Sequence, residues 1–232
     1  MKLVIAIVLA LVVLAGCSPV PSMPPSEPTP VVTATSTPTQ LPSPPPALPP
    51  SIAPTPTPTP TPTPISPDFR NIKWGMSRAE VKAREQEGKF WEENATLLGY
   101  SNITINRLDV LLVYLFNKND QAYGANYAIA QKHSNPTEYI RDFEDLKSLL
   151  VSKYGKPARD DVIWAGSDLY KDRPSQWGMA VITGDLQYFC MWDPPTTTVA
   201  LVLKGDNYKP TFMIMYQSKS VPSDTGKNLK GL

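Results

Sequence analysis

The sequence predicts an α+β fold: an antiparallel sheet with two helices packed on one face, readable as two helix-plus-sheet units and preceded by a disordered Pro/Thr linker. Three observations carry that expectation. After residue 66 the apolar residues recur either at helical spacing or at every second position. The connections between neighbouring apolar runs are short, which favours antiparallel pairing. Before residue 67 the chain is too rich in proline, and too poor in charge and aromatics, to offset the entropy of ordering it.

The first helix is signalled by Ser77 and Glu80, which fit a capping box, with Met76 and Val81 at the positions of a hydrophobic staple. It should run to about Glu87 and stop at Gly88. A strand follows around Tyr100 to Ile105. Leu108, Val110, Leu112, Tyr114 and Phe116 then form one face of a strand, Asn117 to Asp120 a turn, and Tyr123, Ala125, Tyr127 and Ile129 the returning strand. A second helix starts at Asn135-Pro136, with Pro136 at its first position. Its apolar stripe is Tyr139, Phe143, Leu146, Leu150 and Tyr154, and Lys153, Gly155 and Pro157 end it. Further strands are expected at Val162 to Ala165, Trp177 to Thr183, Leu186 to Trp192, Thr198 to Lys204 and Thr211 to Tyr216. Gly184-Asp185 suits a hairpin turn, and Asp193-Pro194-Pro195 and Gly205-Asp206-Asn207 mark the later turns. No run of identical residues links the two halves.

The N-terminus reads differently. Lys2 precedes an aliphatic run from Leu3 to Val13, shorter than the ~20 residues of a membrane span. The run ends in Leu14-Ala15-Gly16-Cys17, which resembles the lipobox of bacterial lipoproteins. That resemblance implies a signal peptide at 1–16, removed after the Cys17 thiolate takes a diacylglyceryl group, and Cys17 as the new N-terminus. Each buried methylene contributes about 0.8 kcal/mol, so two acyl chains anchor stably where one does not. Ser18 lacks the inner-membrane retention signal that Asp there would supply in Gram-negative lipoproteins. The expected location is the extracytoplasmic face of the cell membrane, with the outer membrane as the alternative where the host has one.

Residues 17–66 form the linker. Thr55 to Pro64 alternates strictly, and from Ser18 to Ser66 Glu27 is the one ionisable side chain. Polyproline-II geometry at ~3.1 Å per residue gives an upper reach on the order of 150 Å. The linker reads as a spacer; a dock for proline-binding modules and an O-glycosylated stalk are the other readings. Residues 67–222 form the globular domain and 223–232 a flexible tail. Asn94-Ala95-Thr96 and Asn102-Ile103-Thr104 match the N-glycosylation pattern, which carries no weight in a bacterial lipoprotein.

Phe69-Arg70-Asn71-Ile72-Lys73-Trp74-Gly75-Met76-Ser77, then Glu80-Val81 and the later Lys153-Tyr154-Gly155-Lys156-Pro157, resemble the openings of many uncharacterised bacterial lipoproteins. Gly-Met-Ser before Glu-Val is similar to small outer-membrane-assembly lipoproteins, and the helix-then-sheet order to β-lactamase-inhibitor-like folds. The resemblance implies a fold and no catalytic residue.

The composition excludes more than it assigns. The net charge of +1 gives no reason to expect nucleic acid as a partner. One histidine, His133, excludes a histidine-rich metal site and reads as a surface residue. There is no Gly-x-Ser-x-Gly elbow and no phosphate-cradling glycine loop, so neither catalytic residue nor cofactor is expected. Cys190, between Tyr188 and Trp192 on a strand, reads as a buried, inert thiol. Asp142, Glu144, Asp145, Asp160 and Asp161 read as a solvated charged face, with Ca²⁺ binding or acid–base work as the sharper reading. Trp74, Trp164, Trp177 and Trp192 read as core, with a ligand groove as the alternative. Trp91, flanked by Lys89 and Glu92-Glu93, should be exposed and is the first candidate contact residue. The expected function is a membrane-anchored lipoprotein presenting a non-catalytic binding or scaffolding domain to an unknown protein or small-molecule partner. A ligand-capturing or sensory lipoprotein with an aromatic pocket is the alternative, and a cell-envelope hydrolase is a third class.

Overall fold

The computed structural model describes residues 67–165 and 168–224. The expectations for the signal peptide, Cys17, the linker and most of the tail lie outside the described residues.

The chain opens on a tight turn in which Ile72 N donates to Phe69 O (2.8 Å) and Phe69 N to Ile72 O (3.1 Å). Helix α1 (Arg78–Arg84) follows. The capping box is present: Ser77 N donates to Glu80 Oε2 (2.8 Å) and Glu80 N to Ser77 Oγ (3.4 Å). The helix ends three residues before the expected Glu87. Glu85 turns extended there, and its carboxylate is drawn inward to Tyr114 and Arg70.

Four strands, not three, precede the second helix: β1 (Lys89–Glu93), β2 (Leu97–Ile105), β3 (Leu108–Phe116) and β4 (Ala122–Ile129). β1 escapes notice in the sequence because it is short, charged and bulged at Trp91. Asn106 and Arg107, both at positive φ, close the β2–β3 hairpin. All five residues of the β3 stripe are buried. Leu115 and Phe116 of β3 pair with Gly124 and Ala122 of β4, so Tyr123 is skipped and Ala122, not Tyr123, joins the core.

Helix α2 (Thr137–Tyr154) begins one residue later than expected, with the Asn135 carboxamide accepting from Thr137 N at 3.1 Å. Its stripe is buried from Tyr139 to Leu150, Tyr154 packs at the margin, and Gly155 at φ 79° ends it. Strand β5 (Arg159–Trp164), a short 3₁₀ turn (Pro174–Gln176), helix α3 (Trp177–Thr183), and strands β6 (Leu186–Trp192), β7 (Thr197–Asp206) and β8 (Lys209–Ser218) complete the order.

Helix α3 corrects the strand expected at Trp177 to Thr183, and it brings the helices to three. Val181, Ile182 and Thr183 favour a strand locally, but two glycines decide otherwise. A Cβ on Gly178 would lie 2.4 Å from Thr137 N, and one on Gly205 would lie 2.3 Å from Val181 O. The segment is therefore pressed between the start of α2 and the β7 backbone, where a compact helix fits. Gly184 is its left-handed cap at φ 96°, donating back to Ala180 O and Val181 O, and not part of a hairpin turn.

The eight strands form one antiparallel sheet in the order β1-β2-β3-β4-β8-β7-β6-β5. Each half runs from an edge to the centre, and the two halves meet where Gly124 to Ala128 pair with Gln217 to Met213. The main cluster joins alternate strand positions to Val81 of α1, Phe143 and Leu146 of α2, and Ala180 and Val181 of α3. The opposite strand positions hold a smaller cluster of Phe189, Ala200, Val202, Met213 and Met215. No helix among the described residues is long and apolar enough to cross a membrane.

Candidate functional site

A cavity of about 270 Å³ lies over the sheet centre where β4 meets β8. Its floor is Tyr127, Ile214 and Tyr216; α2 supplies Leu146, Leu149, Leu150 and Lys153; Phe69, Arg70 and Ile105 close the other side. Period-2 alternation puts Tyr127 and Tyr216 on the helix-facing side of adjacent strands, and helical spacing brings Leu146, Leu150 and Lys153 to one stripe of α2. The floor is aromatic: Phe69 sits 4.6 Å from Tyr216 and 5.4 Å from Tyr127 between ring centroids, and the two tyrosines meet edge to face at 6.1 Å.

Arg70 occupies the tip of the opening turn at φ 51°, a conformation costing a Cβ-bearing residue on the order of 1 kcal/mol. Its side chain is held from several sides. Nη1 donates to the Tyr127 hydroxyl (3.1 Å), and Nη2 to Glu85 Oε1 (2.9 Å) and Glu87 Oε2 (2.8 Å). Glu85, its side chain only 2% exposed, also accepts from the Tyr114 hydroxyl at 2.5 Å. Burial alone would lower the Arg70 pKa, but the Tyr127 hydrogen bond and the Glu85 and Glu87 carboxylates carry it above the ordinary guanidinium value. Burial raises Tyr114, Tyr127 and Tyr216 above the usual phenol range, and the Glu85 carboxylate adds to the rise at Tyr114. These phenols stay protonated. With its charges and hydroxyls mutually engaged, the arrangement is suited to holding and orienting a molecule.

The expected site residues fall elsewhere. Cys17 lies outside the described residues. Trp91 is a half-buried strand residue and not an exposed one, which corrects the expectation. Glycine at 99 lets its indole settle on the β2 backbone: a Cβ there would meet Trp91 Nε1 at 2.6 Å. That Nε1–H is buried and has no hydrogen-bond partner among the described residues. The exposed aromatic of β1 is Phe90, at 51%. Trp74 and Trp192 are core, donating to Thr197 Oγ1 and Gly155 O, each at 2.8 Å. Trp164 and Trp177 pack edge to face at the core margin.

His133 is not a free surface residue. Its ring is 15% exposed and pairs with Asp142 at 2.5 Å, and Asp142 is buried. Of the other acids expected as a solvated face, all keep partly exposed side chains in ion pairs: Asp145 pairs with Arg107, Glu144 and Asp160 both pair with Lys147, and Asp161 pairs with Arg159. Among the described residues no group of three His, Cys, Asp or Glu is placed to hold a metal ion.

Cys190 is fully buried and its thiol donates to Asp160 Oδ1 at 3.2 Å. Burial, reinforced by Asp160, pushes the thiol up to about 12. Below its ordinary value of 9.0 the neutral thiol's contribution to stability is complete; it is lost as pH rises towards that folded value. In a chain carrying Cys17→Ser, a thiol reagent at neutral pH should leave Cys190 unmodified until the protein is unfolded. Rapid labelling of the native protein would contradict this.

Arg70, Glu85, Tyr127, Lys153 and Tyr216 went unnoticed as a group in the sequence. The available signal was Arg70 itself, a charged residue between core aromatics in the Phe69–Ser77 segment. No protein-family model, no curated protein sequence and no solved structure matches this chain.

Proposed function

We propose that this chain is a lipid-anchored surface protein presenting a non-catalytic ligand-capturing domain on a stiff tether, with the cavity at the β4–β8 junction as the capturing element. In this reading the helices stand on one face of the sheet, and two helix-plus-sheet units meet at that junction. The observation that carries it is the cavity itself: an aromatic and aliphatic floor with a few convergent polar groups at its rim, the usual make-up of a small-molecule site. Cys17 supplies the anchor in the same reading. Cys17→Ser should abolish incorporation of labelled fatty acid and release the protein from membranes. Undiminished labelling in that variant removes the anchor from the proposal.

A second reading, strand addition by an extended partner, is favoured by β5. It is a sheet edge carrying Val162 and Ile163 exposed, the former at 53%.

A further inference from the structure

We propose that the cavity takes a small amphiphilic carboxylate, its alkyl end against the apolar floor and its carboxylate at Lys153; this rests on the capture reading above. Of the ten residues lining the cavity, two are cations and none is a carboxylate. The two cations differ. The Arg70 guanidinium is committed to Tyr127, Glu85 and Glu87, and forms a fixed part of the wall. Lys153 is exposed in the last turn of α2, its ammonium lies 5.1 Å from the Tyr154 ring centroid, and no ion pair reaches it among the described residues. It can therefore turn to an incoming anion without breaking a pair. At about 30 Å³ per water-sized group, the cavity holds on the order of nine such groups, close to the ten heavy atoms of octanoate. A carboxylate held by an ammonium at the rim leaves the aliphatic tail to displace water from Ile214, Leu146 and Leu150.

Calorimetric titration tests this with octanoate and octanol. The protein is the chain from residue 17 onward carrying Cys17→Ser, with tether and folded unit together. Octanoate should bind more tightly than octanol, and added salt should weaken the acid alone. Lys153→Gln should weaken octanoate about tenfold and leave octanol unchanged. Leu149→Trp, at a position 48% exposed and so tolerant of bulk, should fill the opening and block both. If Lys153→Gln leaves octanoate binding unchanged, or the two probes bind wild type equally, the carboxylate assignment is overturned while capture stands. If neither probe binds wild type, or Leu149→Trp affects neither, both the assignment and the capture reading fall.

Discussion

Arg70→Met destabilises the fold by about 3 kcal/mol, measured as a shift in the urea midpoint of tryptophan fluorescence. The size follows from what the substitution leaves behind. Glu85 is drawn into the core at the end of α1; its Oε1 is met by Arg70 and the Glu87 backbone N–H, and its Oε2 by the Tyr114 hydroxyl. Without the guanidinium a buried carboxylate keeps only two neutral donors, the Tyr114 hydroxyl and the Glu87 backbone N–H, and the Tyr127 hydroxyl loses its partner as well. The lost attraction is therefore compounded by an uncompensated charge. Two further variants separate the causes. The double change Arg70→Met with Glu85→Leu should destabilise less than the single change, because it removes the buried charge together with its partner. Arg70→Gly should be milder than Arg70→Ala by about 1 kcal/mol, because glycine relieves the left-handed strain at φ 51° while losing the same contacts. A wild-type midpoint for Arg70→Met would remove the network from any account of how this domain is held together.

Gly178→Ala and Gly205→Ala should each destabilise by about 3 kcal/mol, at the upper end of overpacking effects. In both, the added methyl meets backbone and not a movable side chain: Thr137 N at 2.4 Å and Pro136 C at 2.5 Å for the first, Val181 O at 2.3 Å and Ile182 Cα at 2.6 Å for the second. Either α3 moves off the sheet or α2 shifts at its start. Gly155→Ala is the control. Its φ of 79° disfavours alanine, but a Cβ there meets nothing within 4 Å, so the loss should be about 1 kcal/mol. Losses at Gly178 and Gly205 no larger than at Gly155 would show that the close approach of α3 does not set the effect.

Much of the fold is legible in local pattern. The Ser77–Glu80 capping box, the α2 stripe, and the β3 and β6 spans appear where the sequence places them, because each signal and its consequence lie within a few residues. The misreadings share one form. At Trp177 to Thr183 a β-branched run was outweighed by contacts with Thr137 and Gly205. At Tyr123 a bulge moved the core position to Ala122. At Trp91 a missing Cβ on the neighbouring strand turned an apparently exposed indole inward. His133 found its acid nine residues away, one turn into the next helix. The cavity was the least legible feature, since its lining comes from the opening turn, three strands and α2.

By itself the sequence determined the change of composition at residue 66, the α+β class, the caps of the first helix and the inward face of the second. These follow from proline content, apolar period and hydrogen bonding within a single turn. Only the tertiary structure decided that the two halves join at β4 and β8, that a third helix replaces a strand, and that Arg70 reaches Tyr127, 57 residues away, beside a cavity. The physical reason is range. Period and capping act between neighbours along the chain, whereas close backbone approach and the pairing of buried charges depend on residues that only folding brings together.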